Sequence, residues 1–326
     1  MSTATRQIMW NTTHVFGFDI DQEGPDVRHV HDFKQNKALS GLIETISLGS
    51  YQELNVPVIF RSSDHRKGIA WWSWARQGKA FRFEMDSTAC ASTSLSSSAV
   101  ASSSKLSIPN NILNGTFAGT SEWTVTSTNW TISSGVAKAD GGMSTGEIIY
   151  QLNALRVGMR YRVHYTLKPS SSGGLSGKVR PYCGAYGAGT WTSSTGTHVQ
   201  HLRAVDNNVS TANIRCEFYI MSNSSFDGAI DDISVIADFS TNDEILIKAK
   251  DNDDEFEVAK VAAVTAGSSP SLTLDRKLIY NYPSSSIVRH RNFWPSVVNT
   301  AAQFNPKPLT SHADLYRTTL TFRESS

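Results

Sequence analysis

Apolar and polar positions alternate through the middle of the chain. In the run from Arg160 to Lys168, Tyr161, Val163, Tyr165 and Leu167 share one side of an extended segment, and Arg160, Arg162, His164 and Thr166 share the other. Farther on, Ile214, Cys216, Phe218 and Ile220 alternate with Arg215, Glu217, Tyr219 and Met221. In GKVRPYCGAY the outward set is Lys178, Arg180 and Tyr182. Short runs of this kind, separated by Gly, Ser, Asn and Asp clusters, predict an antiparallel β-sandwich between residues 110 and 238. One of its sheets is expected to carry a face of arginines, a histidine, a glutamate and tyrosines.

The flanks read differently. ALSGLIETISLGSYQELNVPVIFRS alternates as two strands, and Gly49 and Ser50 suit a turn, so a hairpin is expected. A short helix follows. Ser63 is placed to cap it, Asp64 and Arg76 suit the two ends of its dipole, and Gly78 stops it. Helical spacing puts Trp71, Trp74 and Ala75 on one face, with Ile69 and Trp72 to the side, which predicts rings buried against the hairpin, some of them free to meet a neighbouring subunit. Ala80 to Glu84 returns as a strand. Beyond residue 238, EILIKAK and EFEVAKVAAV flank an acidic turn at Asp251 to Asp254. The last strand, LYRTTLTFRE, sets Tyr316, Thr318, Leu320 and Phe322 on one face. The expected fold class is mainly β, with one short helix.

Composition divides the chain. Residues 89–109 are a Ser/Ala-rich run that predicts a linker. Residues 1–88 and 239–326 then form one discontinuous domain, and 110–238 an insert within it. Thirty Lys and Arg against 29 Asp and Glu give a net charge of +1, with no basic stripe to suit nucleic acid. No run approaches the roughly 20 apolar residues that span a bilayer, and the N-terminus lacks a signal-peptide core, so the expectation is a soluble protein made in the cytoplasm and not inserted in a membrane.

Candidate chemistry is sparse. Cys90, Cys183 and Cys216 follow no metal spacing and are expected to be small buried hydrophobes. Counted from Asp251, the acidic turn holds Phe256 where a calcium loop needs Gly, and Ala262 where it needs Glu. His29 and His31 could form half a metal site, without a third ligand nearby. Asp231 and Asp232 are candidates for a structural calcium, or else for a turn-capping role, and no other cofactor is expected. GxSxG, HExxH and a phosphate-cradling glycine loop are all missing, so no catalytic residue and no enzymatic activity are expected. Aromatic rings in polar segments carry more weight: Tyr182, Tyr186 and Trp191 lie in or beside a Gly-rich loop. They suit stacking on a pyranose, with Arg162, His164, Arg180, Arg215 and Glu217 hydrogen-bonding its hydroxyls and Tyr219 on the same face. Trp191 lidding the end of the sandwich core is the competing reading.

The opening NGTFAGTSEWTVT, the middle GMRYRVHYTLK and the closing FDGAIDDISV resemble the jelly-roll carbohydrate-binding modules appended to glycoside hydrolases. That resemblance implies glycan binding, and it raises calcium at Asp231 and Asp232. The flanks, through GLIETISLGSYQELNVPVIFRS, FRFEMD, EFEVAKVAAV, LTLDRKLIYNYP and LYRTTLTFRE, are similar to distal-tail or minor-tail proteins of long-tailed bacteriophages. This implies a virion protein of the tail tip, assembled in the host cytoplasm as a ring with copies of itself, hexameric by the resemblance. Its other partners would be neighbouring tail proteins and a host-surface glycan. Two alternatives stay open: a secreted polysaccharide-targeting protein, and a sandwich that serves only as a spacer or protein contact.

Overall fold

In a computed structural model, residues 6–9, 15–20, 26–37, 43–77, 80–84, 91–142, 146–170, 173–205, 215–223, 225–252, 255–291, 293–300, 304–309 and 312–324 are described, with most of their side chains from Glu53 onward. The fold is mainly β and its sheets are antiparallel. Two compact units emerge. The first comprises Met1–Ser87, Asp251–Phe256 and Asn292–Ser326, and the second Thr88–Lys250 and Glu257–Arg291.

The first unit begins with β1 (Arg6–Met9), β2 (Val15–Ile20), β3 (Asp26–Lys37) and β4 (Ile43–Arg61), followed by helix α1 (Ser62–Ala75) and β5 (Phe81–Glu84). The hairpin expected around Gly49 and Ser50 is a single 19-residue strand, β4, which runs straight through both. Its partner is β3, in register from Asp26 opposite Asn55 to Lys37 opposite Ile43. The register shifts where Asp32 faces Gly49 and Phe33 faces Ser47, so the glycine marks a bulge and not a turn. Helix α1 also starts earlier than Ser63 would set it. Arg61, still extended at the end of β4, is the N-cap and supplies no side-chain hydrogen bond, and Ser63 lies inside the first turn. Gly78 lies outside the described residues. Trp71 and Ala75 are fully buried, as the periodicity predicts, with Trp72 and Trp74 half-buried. Trp71 meets Phe81 and Phe322 edge-on at 5.4 and 6.0 Å.

The second unit opens with β6 (Ser92–Ser94) and β7 (Lys105–Ser107), both within the serine-rich run read as a linker. That expectation is overturned. Ala91, Leu95, Ala99, Leu106 and Ile108 are buried in one core with Ile245, Ile247, Leu272 and Val288. Serines do not prevent this, because strand pairing uses the backbone and the few apolar residues fall where the core needs them.

The sandwich comprises β8 (Thr124–Val125), β9 (Trp130–Ser133), β10 (Val136–Asp140), β11 (Ile148–Arg156), β12 (Arg160–Lys168), β13 (Val179–Cys183), β14 (Gly196–Arg203), β15 (Arg215–Ser222) and β16 (Asp227–Ala237). The sheets run β14-β12-β16-β10-β9 and β13-β15-β11-β8. From β10 to β16 each strand lies in the sheet opposite its predecessor, the alternation of a jelly roll. Inner faces carry the predicted residues: Tyr161, Val163, Tyr165 and Leu167 from one sheet, and Cys216, Phe218 and Ile220 from the other, all buried. Cys183 and Cys216 are buried, and burial pushes the Cys183 thiol well up; Cys90 lies outside the described residues.

The module's opening docks on its close. Asn111 donates from its backbone to Val235, Asn110 Oδ1 accepts from the Val235 amide, and Ile233 donates to the Gly115 carbonyl at 2.9 Å. The chain enters and leaves the sandwich side by side.

After it come β17 (Glu244–Lys248), β18 (Phe256–Thr265), β19 (Ser271–Leu274) and β20 (Ile287–His290), which join β6 and β7 in a six-stranded sheet ordered β6-β20-β17-β18-β19-β7. These strands belong to the second unit and not, as composition suggested, to a domain shared with residues 1–88. Finally β21 (Phe293–Asn299), β22 (Lys307–Leu309) and β23 (His312–Glu324) return to the first unit. Strands β1, β2, β4, β23, β21 and β5 each pair with the next, and β5 pairs with β1, so six strands close a circuit. Its core gathers Leu54, Val56 and Val58 of β4 with Leu320 and Phe322, which share one face of β23.

Candidate functional site

The residues expected on one polar face divide between two. Arg162 and His164 lie on β12, in the five-stranded sheet, whereas Arg180 and Tyr182 (β13) and Glu217 and Tyr219 (β15) lie in the four-stranded sheet. They occupy the two outer surfaces of the sandwich and cannot serve one ligand. The alternation in sequence shows that a residue points outward, but not from which sheet. Arg215 falls on β15, and its side chain is outside the described set.

On the outer surface of the four-stranded sheet, register builds a tyrosine row. Tyr150 of β11 stands opposite Tyr219, and Tyr219 opposite Tyr182. In the next row Ile148 faces Met221, and Met221 faces Arg180. Past β13 the chain folds back, with mutual backbone bonds between Val179 and Thr192 and one from Gly189 to Pro181. This return brings Trp191 alongside Arg180. The loop between them is pinned. A Cβ at Gly187 would fall 2.2 Å from the Cys183 carbonyl oxygen and 2.4 Å from that of Arg203, so the tight return requires glycine. Gln200 on β14 holds Thr190 on both sides, accepting from its amide at 2.7 Å and donating to its carbonyl at 3.0 Å.

The resulting surface is layered. Tyr182 and Tyr219 stack with ring centres 4.5 Å apart and planes 11° from parallel. The Arg180 guanidinium lies over both Tyr182, at 4.7 Å, and Trp191, at 4.6 Å. Lys178 places its ammonium 5.2 Å from the Trp191 ring. Tyr182 and Tyr219 are 5% and 7% exposed, so they are not the open stacking platform the sequence suggested; they floor a plate whose upper layer is Arg180, Lys178 and half-buried Trp191. Burial first, then Tyr182 and Glu217, push the Tyr219 hydroxyl up to about 12. Trp191 is a member of this outer surface and not a lid on the core. Tyr186 is 57% exposed nearby in the chain, anchored through its amide to the Val205 carbonyl.

The opposite surface is polar and, among the described residues, has no comparable stack of rings. His164 Nδ1 is 3.3 Å from the Asp232 carbonyl, and Arg162 is half-buried. Toward the other end of β12 a groove of about 660 Å³ is lined by Asn129, Lys138, Asp140, Lys168 and Asp227 over a floor of Gly228 and Ala229.

Asp231 and Asp232 do not fit a calcium ion. Asp231 is buried, forms an ion pair with Lys168, and accepts the Asp232 amide at 2.7 Å. The hydrogen bond that Lys168 donates to Asp231, and the charge of that carboxylate, hold the Lys168 ammonium's pKa up. Asp232 sits exposed in a bulge with φ of 52°. An ion there would have to displace Lys168 from Asp231. Among the described residues no group of three or more His, Cys, Asp or Glu side chains gathers. His29 and His31 stand on β3 opposite Gln52 and Ser50, with their side chains outside the described set.

Compared with protein-family models and with curated proteins, the chain matches none.

Proposed function

We propose that the chain is a non-enzymatic structural component of a bacteriophage tail tip, which assembles with copies of itself and other tail proteins into a ring and carries a glycan-attachment module. The observation that supports this best is the arm of the first unit. Strands from early and late in the chain combine to close one barrel, and from it the β3–β4 hairpin continues: residues 53–61 of β4 pair with β23, whereas residues 43–52 pair with β3 alone among the described strands. Among the described strands, β3 ends the sheet at its outer edge. A long open edge invites strand addition, and in a ring each copy offers that edge to its neighbour. The Arg180–Trp191 plate supports the attachment half of the reading, in which many weak sites act together through copy number.

Native mass spectrometry and negative-stain electron microscopy of the purified protein test the ring. Closed rings of one size are expected. A protein that stays monomeric at high concentration, alone and mixed with its neighbouring tail proteins, would overturn the reading.

A further inference from the structure

We infer that the plate on the four-stranded sheet takes an acidic glycan, one bearing carboxylate or phosphate groups, with Arg180 as the residue that reads the anion. The inference rests on the sandwich being an attachment module, and it narrows what that module holds.

Neutral sugars are usually gripped by open aromatic faces. Here those faces are covered. Tyr182 and Tyr219 stack on each other beneath Arg180, and the Trp191 ring already has Arg180 and Lys178 against it. What the surface presents is positive charge. Neither cation meets a carboxylate within ion-pair distance among the described residues, and Arg180 Nε is buried with no hydrogen-bond partner. Glu217, the one described carboxylate on that face of β15, acts on Tyr219 without pairing with Arg180.

A guanidinium held against two rings has already lost much of its rotamer freedom, and its remaining N–H groups form a planar fork. That fork matches a carboxylate or phosphate with two parallel hydrogen bonds. Lys178 adds a second charge at the exposed rim. A neutral sugar would leave Arg180 half-buried and uncompensated, whereas an anion completes it.

The test uses the full-length protein with three probes: oligogalacturonate for carboxylate, poly(glycerol phosphate) for phosphate, and carboxyl-reduced oligogalacturonate as the neutral control. Calorimetry at low and high salt should show binding to at least one acidic probe, weakened by salt. The probe that binds identifies the anion. Arg180→Gln should lose about tenfold or more in affinity, the scale of a bidentate charged pair, and Arg180→Lys should recover only part of it. Lys178→Gln, at an exposed position, should lose less and guards against misfolding of the Arg180 variants. Equal binding of the neutral control, or wild-type affinity in a folded Arg180→Gln variant, overturns the acidic reading and leaves attachment standing. Silence toward all three probes and toward a neutral glycan panel overturns both.

Discussion

Gly115 shows how one residue fixes the module's closure. Its carbonyl accepts the Ile233 amide, and a Cβ built on it would lie 1.9 Å from the Ile233 carbonyl oxygen. Both partners are backbone, so neither can swing aside. Gly115→Ala should therefore cost about 3 kcal/mol or more, the upper range for overpacking a tight site, and the check is the urea midpoint followed by Trp fluorescence. A midpoint within error of wild type would show that the opening segment is not tied to β16. Pattern alone could not single out this glycine, since NGTF reads as an ordinary turn. The same limit explains Tyr182 and Tyr219. Alternation correctly turns them outward, but exposure depends on what lands on top, and Arg180 and Trp191 reach them only through strand pairing and a pinned loop.

At the scale of elements, periodicity was legible where one face is buried: β12, β15, β23 and the buried side of α1 follow their apolar residues. It failed where composition and backbone pairing diverge. Gly49 and Ser50 read as a turn, yet pairing with β3 carries the strand through them. The serine-rich run read as a linker, yet β6 and β7 bond to β20 and β19. Leu106 decides between these readings. In a linker, Leu106→Ala would change stability by no more than about 0.5 kcal/mol, as exposed substitutions do. Fully buried among Leu272, Ile108 and their neighbours, it should instead cost about 2–5 kcal/mol. Denaturant unfolding measured on the full chain distinguishes the two.

For the whole molecule, residues 110–238 read from composition as an insert within one domain, whereas the strands on either side of them fall with them in the second unit. The barrel of the first unit gives way at Thr88 to the second unit, whose six-stranded sheet is itself interrupted by the sandwich between β7 and β17. Composition could mark where the sandwich begins and ends, because its turns are rich in Gly, Ser and Asn; it could not tell that the strands on either side belong together. The join is also a shared core. Ile236 and Ala237 at the end of β16 are buried with Phe239, Ile245 and Val288 of the six-stranded sheet, and Ser234 and Gly267 exchange hydrogen bonds at 3.2 Å. Residues 88–291 expressed alone should then unfold in a single cooperative transition. Residues 110–238 alone should be less stable by about 2–3 kcal/mol, the worth of re-exposing one large aliphatic side chain and its neighbour. If the shorter fragment matched the longer in stability, the sandwich would be an autonomous passenger. If it is weaker, as the shared core requires, any load that a ligand places on the plate passes through β16 into the six-stranded sheet and not into a slack tether.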